Sequence, residues 1–393
     1  MQFEDTKTAY ALKSDKELKR ALFLFKVISK KKIVRLGGEL ILLALRLWLP
    51  LNSLLRRTVY QQFCAGTEEQ DSIKIVNELA SFNVKSYMHY AAEGQKSEAG
   101  MDLNLEKIID TLLIASENKA LPFSVFKPTG LGKVLLFEKK SGGIAFTESE
   151  NLAWERMLER IHKCCSVAKK NRIRLLIDAE ESWLQKAIDD IALDLMKQYN
   201  KKQPLIFTTL QMYRKDRLGY LKELMDIAKN EDFKLGVKLV RGAYMEKEND
   251  RSNQRGYPSP ICISKEATDL NFNAGLEEIL SNLNLCELFI GTHSEESVTR
   301  VLKFMKENKL PADDRRIWFS QLYGMADHIS FNIANAGYNV IKYVPYGPLK
   351  EVIPYLIRRA EENTSVQGQT PRELELIQKE RLRRRKIKGS QKK

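Results

Sequence analysis

The chain has 393 residues, 43% of them hydrophobic, and a formal net charge of +14. That much apolar material, spread evenly, suffices for one large core and excludes global disorder. The charge favours anionic partners such as acidic lipid, nucleic acid or an acidic ligand.

The first 74 residues read as a basic helical arm. Lys30, Lys31 and Lys32 precede the most apolar stretch, LILLALRLWLPL at 40–51. This stretch contains Arg46, ends at Pro50 and is short for a membrane span, so it reads as a helix packed on the main domain or lying in a membrane surface. The start, MQFEDTKTAY, mixes acidic and basic residues, with no apolar run close behind it. It resembles neither a signal peptide nor a good transit peptide.

From residue 75 onward, short β-rich apolar runs alternate with helical patterns. The runs are VKSYMHY at 84–90, FSVFKP at 123–128, RIRLLIDA at 172–179 and PLIFTTL at 204–210. Four more follow: KLGVKLV at 234–240, LCELFIGT at 285–292, RIWFSQL at 316–322 and YNVIKYVP at 338–345. Between them, segments such as NLAWERMLERIHKCCSVAKK carry apolar residues at i, i+3 and i+4. Eight strands alternating with helices predict a closed parallel (β/α)8 barrel over 75–365. An open doubly wound sheet would call for a glycine-rich phosphate loop, and no GxGxxG is present. Residues 250–263 read as a long loop after the fifth strand. The charged segment 366–393 reads as a solvated tail forming a frayed helix, with membrane contact as the alternative.

Five cysteines, including the adjacent Cys164 and Cys165, lack CxxC or zinc spacing, which predicts structural thiols and no metal site. No aromatic-interleaved basic motif marks a nucleic-acid binder.

Ligands of such barrels bind at the C-terminal strand ends. The polar groups at these ends are Lys127, Asp178, Glu180, Gln211, Lys238, Arg241, Tyr244, Thr292, His293, Tyr323 and Tyr343, with the apolar Leu322 among them. In VRGAY, Gly242 and Ala243 would allow a flat ring close to the backbone, or simply form a tight turn. On the last helix, Arg358 and Arg359 can present parallel donors to a carboxylate. Glu362 lies one turn on, so a solvated ion-paired helix is the competing reading.

These residues carry a resemblance. KLVRGAYMEKE, QLYGMADHISF and KYVPYGPLKEVIPYLIRRAEENTS closely resemble the proline dehydrogenase family, in its single-function, eukaryote-like branch. YQQFCAGTEEQ, VKSYMHYAAEG, VFKPTGLG, LLIDAEES and LQMYRK extend the resemblance to roughly residues 58 to 380. It implies a distorted eight-fold β/α barrel with non-covalent FAD that oxidises L-proline to 1-pyrroline-5-carboxylate. Electrons would pass to a membrane quinone.

By the same resemblance, Arg358, Arg359 and Lys127 would clamp the substrate carboxylate. Tyr343, Leu322 and Tyr244 would wall the proline ring, Asp178 would orient the clamp, and Glu93 would pair with a clamp arginine. Gln211, Lys238, Val240 and Gly242 would line the flavin ring. Thr292, His293 and Glu362 would hold its adenosine half. The sequence departs from the bifunctional branch at Lys238, where that branch has arginine, and at Met245, where it has tryptophan. Met88 and His89 replace a more usual Leu-Asp pair. His89 is expected either to alter the lid over the substrate or to be a satisfied polar group in the barrel.

Hydroxyproline oxidation is the nearest rival, disfavoured because Tyr343 should crowd a ring hydroxyl. A basic membrane- or nucleic-acid-binding protein on an inactive barrel is the other rival. The expected location is the cytoplasmic face of a bacterial inner membrane, with the mitochondrial matrix or inner membrane as alternative.

Overall fold

The structure, a computed structural model, describes residues 3–30, 55–91, 97–365 and 369–390. The apolar stretch at 40–51 and Lys31 and Lys32 of the lysine run lie outside the described residues.

Eight strands form one parallel sheet: β1 Val84–Tyr90, β2 Phe123–Phe126, β3 Arg174–Ile177, β4 Ile206–Gln211, β5 Leu235–Val240, β6 Cys286–Gly291, β7 Ile317–Leu322 and β8 Val340–Tyr346. Each expected run coincides with one of them, with β4 and β8 ending one residue past their runs. The ladder order is β1-β8-β7-β6-β5-β4-β3-β2. The seam between β1 and β2 is bridged just ahead of β2's start, where the Ser86 N–H donates to Ala120 O at 2.8 Å. The sheet is therefore a nearly closed, distorted barrel.

Among the described residues the main helices are α1 Thr6–Ala9, α2 Asp15–Ile28, α3 Glu69–Ala80, α4 Glu98–Glu117, α5 Val134–Ser141, α6 Glu148–Asn171 and α7 Ser182–Tyr199. They continue with α8 Arg217–Asn230, α9 Met245–Arg255, α10 Lys265–Leu280, α11 Glu295–Glu307, α12 Asp327–Asn335, α13 Leu349–Ser365 and α14 Gln369–Ser390. Local chemistry sets several of their ends. Thr147 and Glu150 form a capping box that starts α6, and left-handed Arg172 at φ 59° ends it. Ser14 and Glu17 do the same at the start of α2.

Side chains alternate in direction along each strand, so the sheet has two apolar faces. The outward set, with Leu175, Ile177, Leu239, Ile290 and Phe319, packs beneath the helices. The inward set, with Phe123, Leu176, Phe207, Phe289 and Ile341, fills the barrel. At the N-terminal end of the barrel, Phe123 meets Phe207 and Phe289 edge-on, with centroids 5.4 and 5.1 Å apart. Gly236 leaves room for this plug, since a Cβ there would lie 2.5 Å from the Phe207 ring. Burying each such ring contributes about 1.5–3 kcal/mol, and the plug closes this end of the barrel.

Two expectations about the periphery are corrected. Residues 250–255 of the loop expected at 250–263 are the end of helix α9. The charged C-terminal segment is helical, as α14, but it packs against α1 and α2 instead of being frayed and solvated. Its Leu376 and Ile377 are buried, and so is Glu380, which accepts from Arg383 and Arg384 at 2.7 and 2.6 Å. Glu373, Leu376, Ile377 and Glu380 recur at helical spacing, a narrow buried stripe hidden among charges. Cys164 and Cys165 are buried on α6, where burial pushes the Cys165 thiol up to about 12, as befits a packing role.

Candidate functional site

The inward phase that plugs the N-terminal end becomes polar toward the other end. On β2 and just past it, Phe123 and Val125 lead to Lys127. From β3, Leu176 leads to Asp178. On β4, Phe207 leads to Thr209 and Gln211. The same phase brings Lys238 and Val240 from β5, Gly291 from β6, Ser320 and Leu322 from β7, and Tyr343 from β8. All of these polar-end residues line one cavity of about 220 Å³ at the C-terminal end of the barrel. Gly242, Tyr244, Thr292 and His293 join it from the loops, and Arg358 and Arg359 from α13. Of the strand-end groups expected there, Glu180 and Tyr323 do not line this cavity; every residue given a site role by the family resemblance does, except two. Glu93 lies outside the described residues, as does the side chain of Glu362.

One half of the cavity is a cationic corner with aromatic walls. Lys127 Nζ donates to Tyr244 Oη at 2.9 Å, and the Arg358 guanidinium lies 5.6 Å from the centre of the same ring. Arg359, 8% exposed, stacks 5.2 Å from the centre of Tyr355. Tyr355 in turn meets Tyr343 at 5.7 Å. The Tyr343 hydroxyl shares a 2.5 Å hydrogen bond with Nδ1 of buried His89. His89 is thus a satisfied polar group that holds the tyrosine in the wall.

The opposite half centres on a buried ion pair. Lys238 Nζ donates to Asp178 Oδ1 at 2.6 Å, with the two side chains 9% and 14% exposed. Burial alone would lower the Lys238 pKa, but the Asp178 charge outweighs it and the ammonium is held above its usual value. Burial likewise opposes ionisation of Asp178, yet Lys238 and Lys127 together keep it below its usual value. The ammonium also lies 5.7 Å from the centre of the Tyr87 ring, a cation–π contact.

Arg241 also lines the cavity, and its side chain is anchored to neighbouring elements. Its donors go to Asp269 at 2.7 Å, Thr292 Oγ1 at 2.8 Å and Ser297 Oγ at 3.1 Å, which tie the β5 loop to α10 and α11. Lys238 is thereby the cation set in the inward phase of β5. Gly242 sits at φ +133°, and a Cβ there would lie 2.5 Å from the Tyr213 ring. Backbone and packing both demand glycine at that point.

His293 accepts the Leu322 N–H at Nε2, 3.1 Å away. Burial, followed by the charges of Lys342 and Arg359, lowers its pKa to about 3, so it is neutral. Gln211 donates Nε2 to Glu180 O at 2.7 Å, which fixes its amide against the β3 loop. Glu180 itself lies behind the wall. Burial raises its pKa to about 7 even though it accepts from Thr129.

Sequence reasoning missed Tyr87, Ser320, Met325 and Tyr355, all of which line the cavity. The strand period could have found the first two: Tyr87 is in phase with His89, and Ser320 with Leu322. Tyr355 lies one helical turn before Arg358 and Arg359, so the period of α13 points to it. Met325 had no such signal, because a turn brings it in.

Residues 72–372 match the family model described as proline dehydrogenase. Over 307 residues the chain is 36% identical to the carbapenem antibiotics biosynthesis protein CarD of Pectobacterium carotovorum subsp. carotovorum, covering 78% of this chain and 79% of that one. It is 30% identical over 426 residues to mitochondrial proline dehydrogenase 1 of Dictyostelium discoideum, covering 97% and 74%. A hydroxyproline dehydrogenase of Xenopus laevis is 31% identical over 416 residues, covering 95% and 88%. Among solved structures, proline utilization A (PutA) from Bdellovibrio bacteriovorus superposes with a TM-score of 0.72 at 18% identity. That likeness covers 92% of this chain and 38% of the longer one, and shows the shared barrel fold. The extent of these matches places the chain in the proline dehydrogenase family.

Proposed function

We propose that this protein oxidises L-proline to 1-pyrroline-5-carboxylate, the first step of proline catabolism, with non-covalent FAD in the cavity described above. The observation that carries the reading is a convergence. Three cations, Lys127, Arg358 and Arg359, meet an apolar wall of Leu322, Tyr244 and Tyr343 in the same cavity as Lys238, Gln211, Val240 and Gly242.

The cationic corner suits a small amino acid. Arg358 and Arg359 can hold its carboxylate through charge-assisted hydrogen bonds, with Lys127 beside them. Their positive field also lowers the pKa of the bound ammonium, so the nitrogen reacts with a free lone pair. The tyrosine wall restricts the ring and sets one reacting carbon toward the other half of the cavity. The donor set there fits a flavin. Lys238, kept protonated by Asp178, would place fixed positive charge beside an electron-rich ring. Family members are flavoenzymes, and FAD when bound supplies the hydride acceptor. No side chain is needed as a general base, and water can take the amine proton.

The first test is the visible spectrum. Purified protein should be yellow or turn yellow with FAD, and should bleach anaerobically on adding L-proline. A protein that FAD cannot reconstitute, or a flavin that proline does not bleach, would count against the reading. Hydroxyproline is the second reading, favoured by the Xenopus relative's coverage. The tethered Tyr343 would crowd a hydroxylated ring, and side-by-side turnover of the two amino acids decides.

We further infer a quinone acceptor and peripheral membrane contact. Helix α2 supports the latter. Lys16, Lys19, Phe23 and Lys26 form one exposed stripe along it, with Phe23 60% exposed. Among the described residues no helix is long and apolar enough to cross a membrane. Because Leu18 and Phe25 of α2 are fully buried, deleting the arm would damage the fold. Reversing Lys16, Lys19 and Lys26 to Glu is the cleaner probe, and binding to anionic liposomes should fall. The named mitochondrial relative supports the mitochondrial inner membrane over the bacterial one expected from the amino-terminal residues.

A further inference from the structure

Several buried charges outside the cavity converge on one short turn behind it. Lys342 is in the outward phase of β8, yet its side chain is 0% exposed. Its Nζ donates to Met325 O at 2.5 Å, Asp327 Oδ1 at 2.8 Å and Leu322 O at 3.3 Å. Glu373, on α14, is also buried and accepts the Ala326 N–H. Lys13, between α1 and α2, lies 3.8 Å from Asp327 Oδ2. Burying charges of this kind costs several kcal/mol each unless they are well paired. Here the pairing is spent on residues 322–327.

This turn joins β7 to α12. It runs through Gly324 at φ +78° and Ala326 at φ +50°, the latter left-handed without being glycine. Its backbone groups are held from outside the turn. The Leu322 N–H goes to His293, the Tyr323 N–H to Tyr343 O and the Ala326 N–H to Glu373. Gly324 O accepts from Gln62, and Met325 O from Lys342. On its inner side the turn presents Leu322 and Met325 to the cavity.

Two of these bonds come from outside the β/α units of the barrel: that from Gln62, ahead of β1, and that from α14. We propose that the C-terminal helix α14 is a positioning element for the substrate site: through Glu373 it fixes the turn that carries the Leu322 and Met325 wall. Glu373 is a positioning residue, since it does not line the cavity. This inference rests on the proline reading for its kinetic consequence, and on the turn alone for its structural one.

The test uses the full-length, flavin-loaded protein. In Glu373→Ala the Ala326 N–H loses its acceptor, and amide exchange across 322–327 should speed up at least tenfold. The KM for proline should rise about tenfold, the equivalent of one charge-assisted hydrogen bond, while kcat and flavin content change less than twofold. Glu373→Gln keeps an oxygen that can accept the N–H, so it should restore KM to within about threefold of wild type. If Glu373→Ala does not fold, Glu373→Asp withdraws the carboxylate by one methylene and should show the same exchange and KM changes. Unchanged exchange in the turn, or an unchanged KM with faster exchange, overturns the proposal even if the melting temperature falls. A wild-type protein inert toward proline would instead overturn the proline reading, and exchange in the turn would still decide whether Glu373 holds it.

Discussion

Asp178 and Lys238 offer the most direct test of the site's electrostatics. Asp178→Asn keeps the shape but leaves a buried ammonium without its carboxylate. At 2.6 Å two unit charges attract by about 6 kcal/mol with an effective dielectric constant of 20. Desolvation offsets part of this, and breaking such a pair from one side costs about 3–5 kcal/mol. Lys238→Met removes the ammonium and leaves the carboxylate stranded, while the double variant removes both charges. Urea unfolding of the four proteins gives a double-mutant cycle, with an expected coupling of about 2–3 kcal/mol. The same unpairing should drop the Lys238 pKa, so Asp178→Asn should lose activity as pH rises through a range where wild type does not. A coupling below about 0.5 kcal/mol, with both single variants near wild-type stability, would refute the argument that these charges sustain one another.

Arg358→Ala or Arg359→Ala should raise the KM for proline about ten- to a hundredfold with flavin still bound, as expected for losing a charge-assisted contact to the carboxylate. Steady-state kinetics and the flavin-to-protein absorbance ratio check this, and normal proline kinetics in both variants would remove the clamp. Gly324→Ala should cost at least about 3 kcal/mol, since it combines a left-handed backbone with a severe clash. Its Cβ would lie 1.8 Å from Gln62 O, and a melting temperature matching wild type would contradict that geometry. His293 has a folded pKa near 3, below its unfolded value near 6.5. The unfolded chain thus binds more protons between those limits, so this contribution is complete above pH 6.5 and falls away on acidification by up to about 1.4 kcal/mol per pH unit. His293→Gln should flatten the loss of stability between pH 6.5 and 5, and parallel wild-type and variant curves would show that His293 is not the cause.

Much of this architecture is written in local patterns. Short apolar runs marked all eight strands, because a strand buried on both faces must be apolar along most of its length. The alternation of side-chain direction within and just past those runs names Lys127, Asp178, Lys238 and Tyr343 as members of one polar ring. Motif resemblance assigned them roles that composition and spacing alone could not. Tertiary structure decided which partner each charge takes. Asp178 belongs to Lys238, Arg241 turns to Asp269 and Thr292, and His89 is bound to Tyr343. It also decided that a basic, charge-rich C-terminal segment is a packed helix whose Glu373 reaches a turn 47 residues earlier in the chain. The physical reason is range. Alternation of side-chain direction acts between neighbours and is readable in order, whereas ion pairing and burial act between residues that meet only after the barrel has closed.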